Sequence, residues 1–207
     1  MRRFWQIKLT KLITNLIKIF PAELAHSITI NLLKLSFKQK INLDNPILNQ
    51  HILGLDFSNP IGLAAGFDKN AEVINPVLNL GFGFIEVGTI TPKPQIGNNK
   101  PRIFRLKEDE AIINHLGFNN KGTEKILSRL EKFNLSNLNS GLIGINIGKN
   151  KDSKNPVEDY CYCLEKLGNL GHYIAINISS PNTPRLREMQ LRGNIEILVK
   201  NLQKKQN

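Results

Sequence analysis

The chain has 207 residues, 41% of them hydrophobic and 22% charged, with a formal net charge of +11. Those values exclude global disorder and leave enough chain for one sizeable core plus a short appendage. No apolar run reaches the ~18–20 residues that cross a bilayer, and no signal-peptide cleavage pattern follows the first apolar segment, so a cytosolic or peripheral protein is expected.

The first predicted element is an amphipathic helix over residues 3–20. Phe4, Trp5, Leu9, Leu12, Ile13, Leu16 and Phe20 recur at spacings of three and four, with Lys8, Lys11 and Lys18 mostly on the other side. Pro21 stops that helix and opens a second one over Ala22–Leu35. Two readings stay open for this arm. It packs on the following domain, or it lies in a membrane surface with its lysines toward the headgroups. The basic balance alone fits nucleic acid or anionic lipid, but the chain has no nucleic-acid motif, so no nucleic-acid partner is expected. An arm over 1–45 and a main domain over 46–207 are expected.

After Gln50 strand-like and helix-like segments alternate. Strands are predicted at 60–66, 84–89, 142–148 and 173–178, and helices at 70–80, 122–133, 158–167 and 194–203. Such alternation means α/β architecture with a parallel sheet. GLAAGFDKN lacks the G-x-G-x-x-G spacing of a dinucleotide fold, so a part of a (β/α)8 barrel is the better reading. In a barrel the functional groups sit at the C-terminal ends of the strands.

The predicted strand ends carry unusual residues. The first runs into Ala64-Ala65-Gly66-Phe67-Asp68-Lys69, where small residues admit a flat ligand and the lysine supplies a cation. The second reaches Thr89, the third Asn146 and the fourth Asn177 and Ser180. Between the second and third lies Asn114-His115-Leu116-Gly117-Phe118. Each residue alone reads as a turn or surface group. Repeated at successive strand ends, they read as a site for a planar, hydrogen-bonding anion, since asparagine both donates and accepts. Ser180 has no G-x-S-x-G elbow and no histidine or aspartate partner in sequence reach. Cys161 and Cys163, one residue apart, fit neither a CxxC motif nor a zinc hook and read as reduced helix residues. No carboxylate pair or metal-spaced cluster appears.

The segments NPIGLAAGFDKN, IEVGTITPKPQIGNNKPRIFRL, INHLGFNNKG, GINIGKNK and YIAINISSPNTP, with Pro21-Ala-Glu-Leu-Ala-His before them, closely resemble the class 2 (quinone-dependent, membrane-associated) dihydroorotate dehydrogenases. The resemblance implies oxidation of dihydroorotate to orotate on FMN, with a membrane quinone as acceptor, in pyrimidine biosynthesis. It implies Ser180 as the catalytic base, where soluble class 1 members carry cysteine. It implies Ala65, Gly66, Phe67, Asp68, Lys69, Thr89, Asn146 and Asn177 at the flavin. It places Lys69, Asn114, His115, Leu116, Gly117, Phe118, Asn177 and Asn182 at the substrate, and Arg102 near the quinone tunnel, whose entrance the N-terminal helices form. Peripheral attachment to the cytoplasmic side of the cell membrane follows.

A soluble class 1 enzyme and a non-catalytic basic protein on a membrane surface are the alternatives. The family's second half, with a further flavin-contacting lysine, a Thr-Asn pair and the phosphate loops, has no counterpart in these residues. The expectation is therefore a fragment, a split half completed by a second chain, or a remnant, inactive by itself.

Overall fold

Residues 142–147, LIGINI, are almost wholly apolar, the pattern of a strand covered on both faces. The computed structural model of the chain describes residues 13–35, 45–133 and 141–206. In chain order it has a helical turn at 13–17, helix α1 (Ala22–Leu35), a hairpin of β1 (Gln50–Ile52) and β2 (Leu55–Phe57), strand β3 (Gly62–Leu63), helix α2 (Ile74–Leu78) and strand β4 (Phe84–Ile90). A second hairpin, β5 (Ile103–Leu106) with β6 (Ala111–Asn114), precedes helix α3 (Thr123–Lys132). Then come β7 (Leu142–Ile147), α4 (Pro156–Leu167), β8 (Tyr173–Ile176) and α5 (Arg192–Gln206). Residues 1–12 and 36–44 of the predicted arm lie outside the described residues.

The main sheet is parallel throughout, in the order β3-β4-β7-β8, which is also sequence order. Each crossover between neighbouring strands contains a helix, as parallel pairing requires. The register pairs Ile85 with Ile143, Glu86 with Gly144, and Gly144 with Tyr173. Because side chains alternate across a strand, this sorts the two faces. One face carries Ile85, Val87, Ile143 and Ile145, all fully buried with Ile126 and Tyr160 in the core. Each such aliphatic residue contributes roughly 1.5–3 kcal/mol through its burial. The other face carries Glu86, Asn146 and Tyr173. Helix formation follows local signals: Asn155 caps α4, accepting from Glu158 N at 3.4 Å, with Pro156 in the first turn.

The main strand and helix expectations hold to within a few residues, with differences at the start of α2 and in the length of the first strand. The helix expected from Asn70 begins only at Ile74. The buried Asp68 carboxylate accepts from the N–H groups of Asn70, Glu72 and Val73 at 3.3, 2.8 and 2.7 Å, and Ala71 sits at φ +54°, so the chain turns before it coils. The first barrel-type strand is only Gly62–Leu63. Both hairpins were missed. Cys161 and Cys163 lie on α4 as free, buried thiols, and burial pushes Cys163 up to about 12. Among the described residues no group of three metal-ligating side chains comes together, and no helix is long and apolar enough to cross a membrane.

Candidate active site

The polar face of the sheet ends in a hydrogen-bonded cluster. Thr89 Oγ1 donates to Asn146 Oδ1 at 2.6 Å. Asn177 Nδ2 donates to Thr89 Oγ1 at 3.0 Å and to Asn146 Oδ1 at 3.3 Å. Three residues from three successive strand ends thus meet at one point. One layer below, Glu86 holds Asn146 in place. Asn146 Nδ2 donates to Glu86 Oε2 at 3.0 Å, and the Tyr173 hydroxyl donates to Glu86 Oε1 at 3.2 Å. The carboxylate, an acceptor only, fixes which way the Asn146 amide points. Burial, with Glu86 beside it, pushes the Tyr173 phenol up, so it stays a donor.

Backbone approach explains the glycine at 88. Its φ is +120°, and a Cβ there would stand 2.3 Å from the Asn146 carbonyl oxygen. Gly88 O accepts from Gly66 N at 2.7 Å, and Asp68 O accepts from Gly88 N at 3.0 Å. Gly66, at φ +108°, faces open space where a Cβ would go. Lys69 follows, half-buried, and burial pushes its ammonium down from the ordinary lysine value. The Asp68 carboxylate is spent on its own loop, so any contact from Asp68 with a ligand is through its backbone.

Ser180 is partly buried, and its Oγ accepts from Asn182 N at 3.2 Å. Asn182 also reaches across to the segment after β6, donating from Nδ2 to Asn114 O at 3.3 Å. Asn98 completes that link, donating from Nδ2 to His115 O at 2.9 Å and to Asn182 O at 3.3 Å. The predicted Asn114–Phe118 segment and the Ser180 loop are therefore brought together. His115 stacks on Phe104, with ring centroids 5.8 Å apart.

Arg102 is buried between this link and α1: its Nη1 donates to Asn98 O at 2.9 Å, and its carbonyl accepts from His115 N at 3.0 Å. Its guanidinium pairs with both carboxylate oxygens of Glu23, from Nη2 to Oε1 at 2.5 Å and from Nε to each at 3.2 Å. Arg102 lowers the Glu23 carboxyl by that hydrogen bond, against the opposing effect of burial. Nearby a cavity of about 250 Å³ opens between α1 and the Phe67–Asn70 loop, lined by His26, Ile30, Phe67, Lys69 and Leu116. His26 Nε2 is 2.7 Å from Phe67 O, and burial pushes its imidazole down, which keeps the ring neutral.

Glu86, Tyr173 and Asn98 went unread in the sequence. Glu86 carried a usable signal: a carboxylate two residues before a glycine, inside an otherwise apolar strand.

The geometry can be set beside known proteins. The family model described as dihydroorotate dehydrogenase matches residues 47–207. A protein of Rhodopseudomonas palustris (strain BisB5) named dihydroorotate dehydrogenase (quinone) is 47% identical over 184 residues, which is 89% of this chain and 50% of that protein. One of the same name from Christiangramia forsetii is 54% identical over 170 residues, 81% of this chain and 48% of that one. The crystal structure of the Eimeria tenella protein in complex with ferulenol superposes with a TM-score of 0.84 at 44% identity, covering 88% of this chain and 50% of that one. The chain spans about half the length of the curated relatives it matches.

Proposed function

The chain belongs to the dihydroorotate dehydrogenase family, and from that we propose that it is the N-terminal part of a quinone-dependent dihydroorotate dehydrogenase acting in pyrimidine biosynthesis. In this reading residues 46–207 form the first half of a (β/α)8 barrel, and residues 1–45 form the quinone-side arm. The remaining strands come from the part of the relatives' length that this chain does not span, on a continuation or a second chain. The observation that carries the reading is the meeting of Thr89, Asn146 and Asn177 at the C-terminal ends of β4, β7 and β8.

The residues present fit FMN. The open space at Gly66 admits a flat ring against the backbone, and the neighbouring amides and hydroxyl can donate and accept along its polar edge. Ala65, Gly66, Phe67, Lys69, Thr89, Asn146 and Asn177 would hold it, with Asp68 contributing its backbone alone. FMN, when bound, supplies the two-electron redox chemistry. The chain's own groups do the rest. Lys69 Nζ pairs with the substrate carboxylate. Asn114, Asn177 and Asn182 bind the substrate's amide groups, with His115, Leu116, Gly117 and Phe118 forming the wall beside them. Ser180 Oγ takes the C5 proton of dihydroorotate while its own hydroxyl proton passes to a hydrogen-bonded water, in a closed site that excludes bulk water. The cavity between α1 and the Phe67–Asn70 loop takes the quinone, with Arg102 holding α1 in place. The arm rests on the cytoplasmic face of the membrane, apolar side down.

The test is Ser180→Ala in the full-length protein. Dihydroorotate-dependent quinone reduction should fall by about 10²–10⁴-fold, the usual worth of a positioned base, while FMN stays bound. Undiminished turnover would remove Ser180 from the mechanism.

A further inference from the structure

Where β7 leaves the sheet the chain runs Gly148-Lys149-Asn150-Lys151-Asp152-Ser153-Lys154 before α4 begins. Opposite it runs Pro184–Gln190, the continuation of the Ser180 loop. Between the two lies a cavity of about 390 Å³. Its floor is apolar, with Val157, Met189 and Ile197. Its charged lining is cationic: Lys149, Lys151, Lys154 and Arg185, against a single carboxylate, Glu188. Arg185 already occupies that carboxylate, with Nε 3.3 and 3.1 Å from its two oxygens.

Lys149 is the telling residue. It is only 4% exposed, yet among the described residues no carboxylate oxygen lies within ion-pair distance of it. Its ammonium makes one long hydrogen bond, to Asn150 O at 3.4 Å. Asp159 and Asp152 act on it only from farther away, and Asp159 gives an oxygen to Asn150 N at 2.8 Å. Burial pushes the Lys149 ammonium down. Buried charges are normally paired, and an unpaired one is costly. Lys151 meets only a neutral oxygen, Asn98 Oδ1 at 3.5 Å. Three lysines thus line, with no carboxylate paired to them among the described residues, a cavity the size of a small-molecule site. An anion with more than one charge would satisfy them, and the apolar floor selects one that also carries an apolar group.

We propose that this cavity binds a soluble organic phosphomonoester, its phosphate held by Lys149, Lys151 and Lys154 and its apolar part lying on Val157, Met189 and Ile197. The wall formed by Pro184 and Met189 is continuous with Ser180, so an occupant also steadies the loop that carries it. Calorimetric titration of the full-length protein with phenyl phosphate tests this. One site is expected, weakening as salt is raised, with inorganic phosphate binding about tenfold more weakly for want of the apolar contact. Lys149→Gln should weaken binding about tenfold or more. Lys151 and Lys154 are exposed, so the double change K151Q/K154Q should fold normally and produce a similar loss even where the buried substitution does not. Three results would overturn the proposal: no binding of phenyl phosphate, equal binding of inorganic phosphate, or unchanged affinity in K151Q/K154Q. Capture by vesicles containing phosphatidic acid, without binding of phenyl phosphate, would equally overturn it in favour of a lipid headgroup.

Discussion

At the scale of single residues, the cluster of Thr89, Asn146 and Asn177 depends on an orientation of Asn146 that Glu86 enforces from below and Asn177 from beside it. An asparagine amide can sit either way round. With Glu86 below it, the oxygen of Asn146 must face Thr89 and Asn177. Glu86→Gln keeps the size but offers one acceptor oxygen for two donors, Asn146 Nδ2 and the Tyr173 hydroxyl. The Asn146 amide is then held in direction by Asn177 alone. A hydrogen bond to a charged group is worth about 1.5–3 kcal/mol, so E86Q in the full-length protein should weaken FMN binding by about tenfold or more and shift the flavin absorption bands. Unchanged affinity together with an unchanged spectrum would show that the orientation of Asn146 does not matter to the flavin. The contrast with Ser180 shows what was legible. Ser180, Lys69 and the asparagines stand at strand ends, where polar residues after apolar runs announce themselves. Glu86 sits inside a strand, and only the register that pairs it with Gly144 reveals that it faces Tyr173 and Asn146.

At the scale of elements, Glu72, in the loop before α2, joins α1 to α3. Its carboxylate pairs with Lys34 of α1, with Arg129 Nη1 of α3 at 3.1 Å and with Lys121 Nζ at 3.4 Å. Burial works against its charge, but the Lys34 hydrogen bond and the fields of Arg129 and Lys121 outweigh it. The carboxyl is held at about 2 against an ordinary 4.5. A carboxyl lowered on folding stabilises the fold above its unfolded value and loses that stabilisation as pH falls toward the folded one. The window is therefore from about 4.5 down to about 2. The cations are partly exposed, at 40%, 24% and 53%, so the contribution is discounted to about 1–2 kcal/mol. Glu72→Gln should lower the urea midpoint at pH 7 accordingly and flatten its fall across that window. A remaining slope is expected from Glu23, which Arg102 lowers in the same direction. An acid limb identical in both proteins would mean that Glu72 does not fasten α1 and α3. The helices themselves were readable from their periodicity and caps. The start of α2 was not, because it is set by the Asp68 side chain and not by propensity. The hairpins escaped because β1 and β6 are exposed along their whole length, so no buried alternation marks them.

At the scale of the molecule, α1 packs on the body through a narrow apolar stripe, with Ala25 buried and Ile30 and Leu33 against the core, and through charge. Ala25 is its one fully buried residue among the described ones, while Glu23 reaches Arg102 and Lys34 reaches Glu72. The apolar residues Leu24, Leu32 and Leu35 stay exposed, at 49%, 49% and 75%. A helix held by an apolar stripe and ion pairs, with leucines left exposed outside, fits the cover proposed above, which walls a cavity and meets a lipid surface. Its His26 and Ile30 form one side of the space whose other side is Phe67 and Leu116. The Thr89, Asn146 and Asn177 cluster is built wholly from β4, β7 and β8 and needs nothing from α1. Removing residues 1–45 from the full-length protein should therefore separate two properties. FMN content should stay close to that of the intact protein. The KM for a long-chain quinone should rise about tenfold or more, the loss of roughly 1.4 kcal/mol expected when one wall of the cavity is gone, and co-sedimentation with anionic vesicles should fall with it. A short, soluble acceptor should be affected much less, since it gains little from that wall. Equal losses for flavin, long-chain quinone and soluble acceptor would show that the arm supports the whole fold and does not form a quinone entrance.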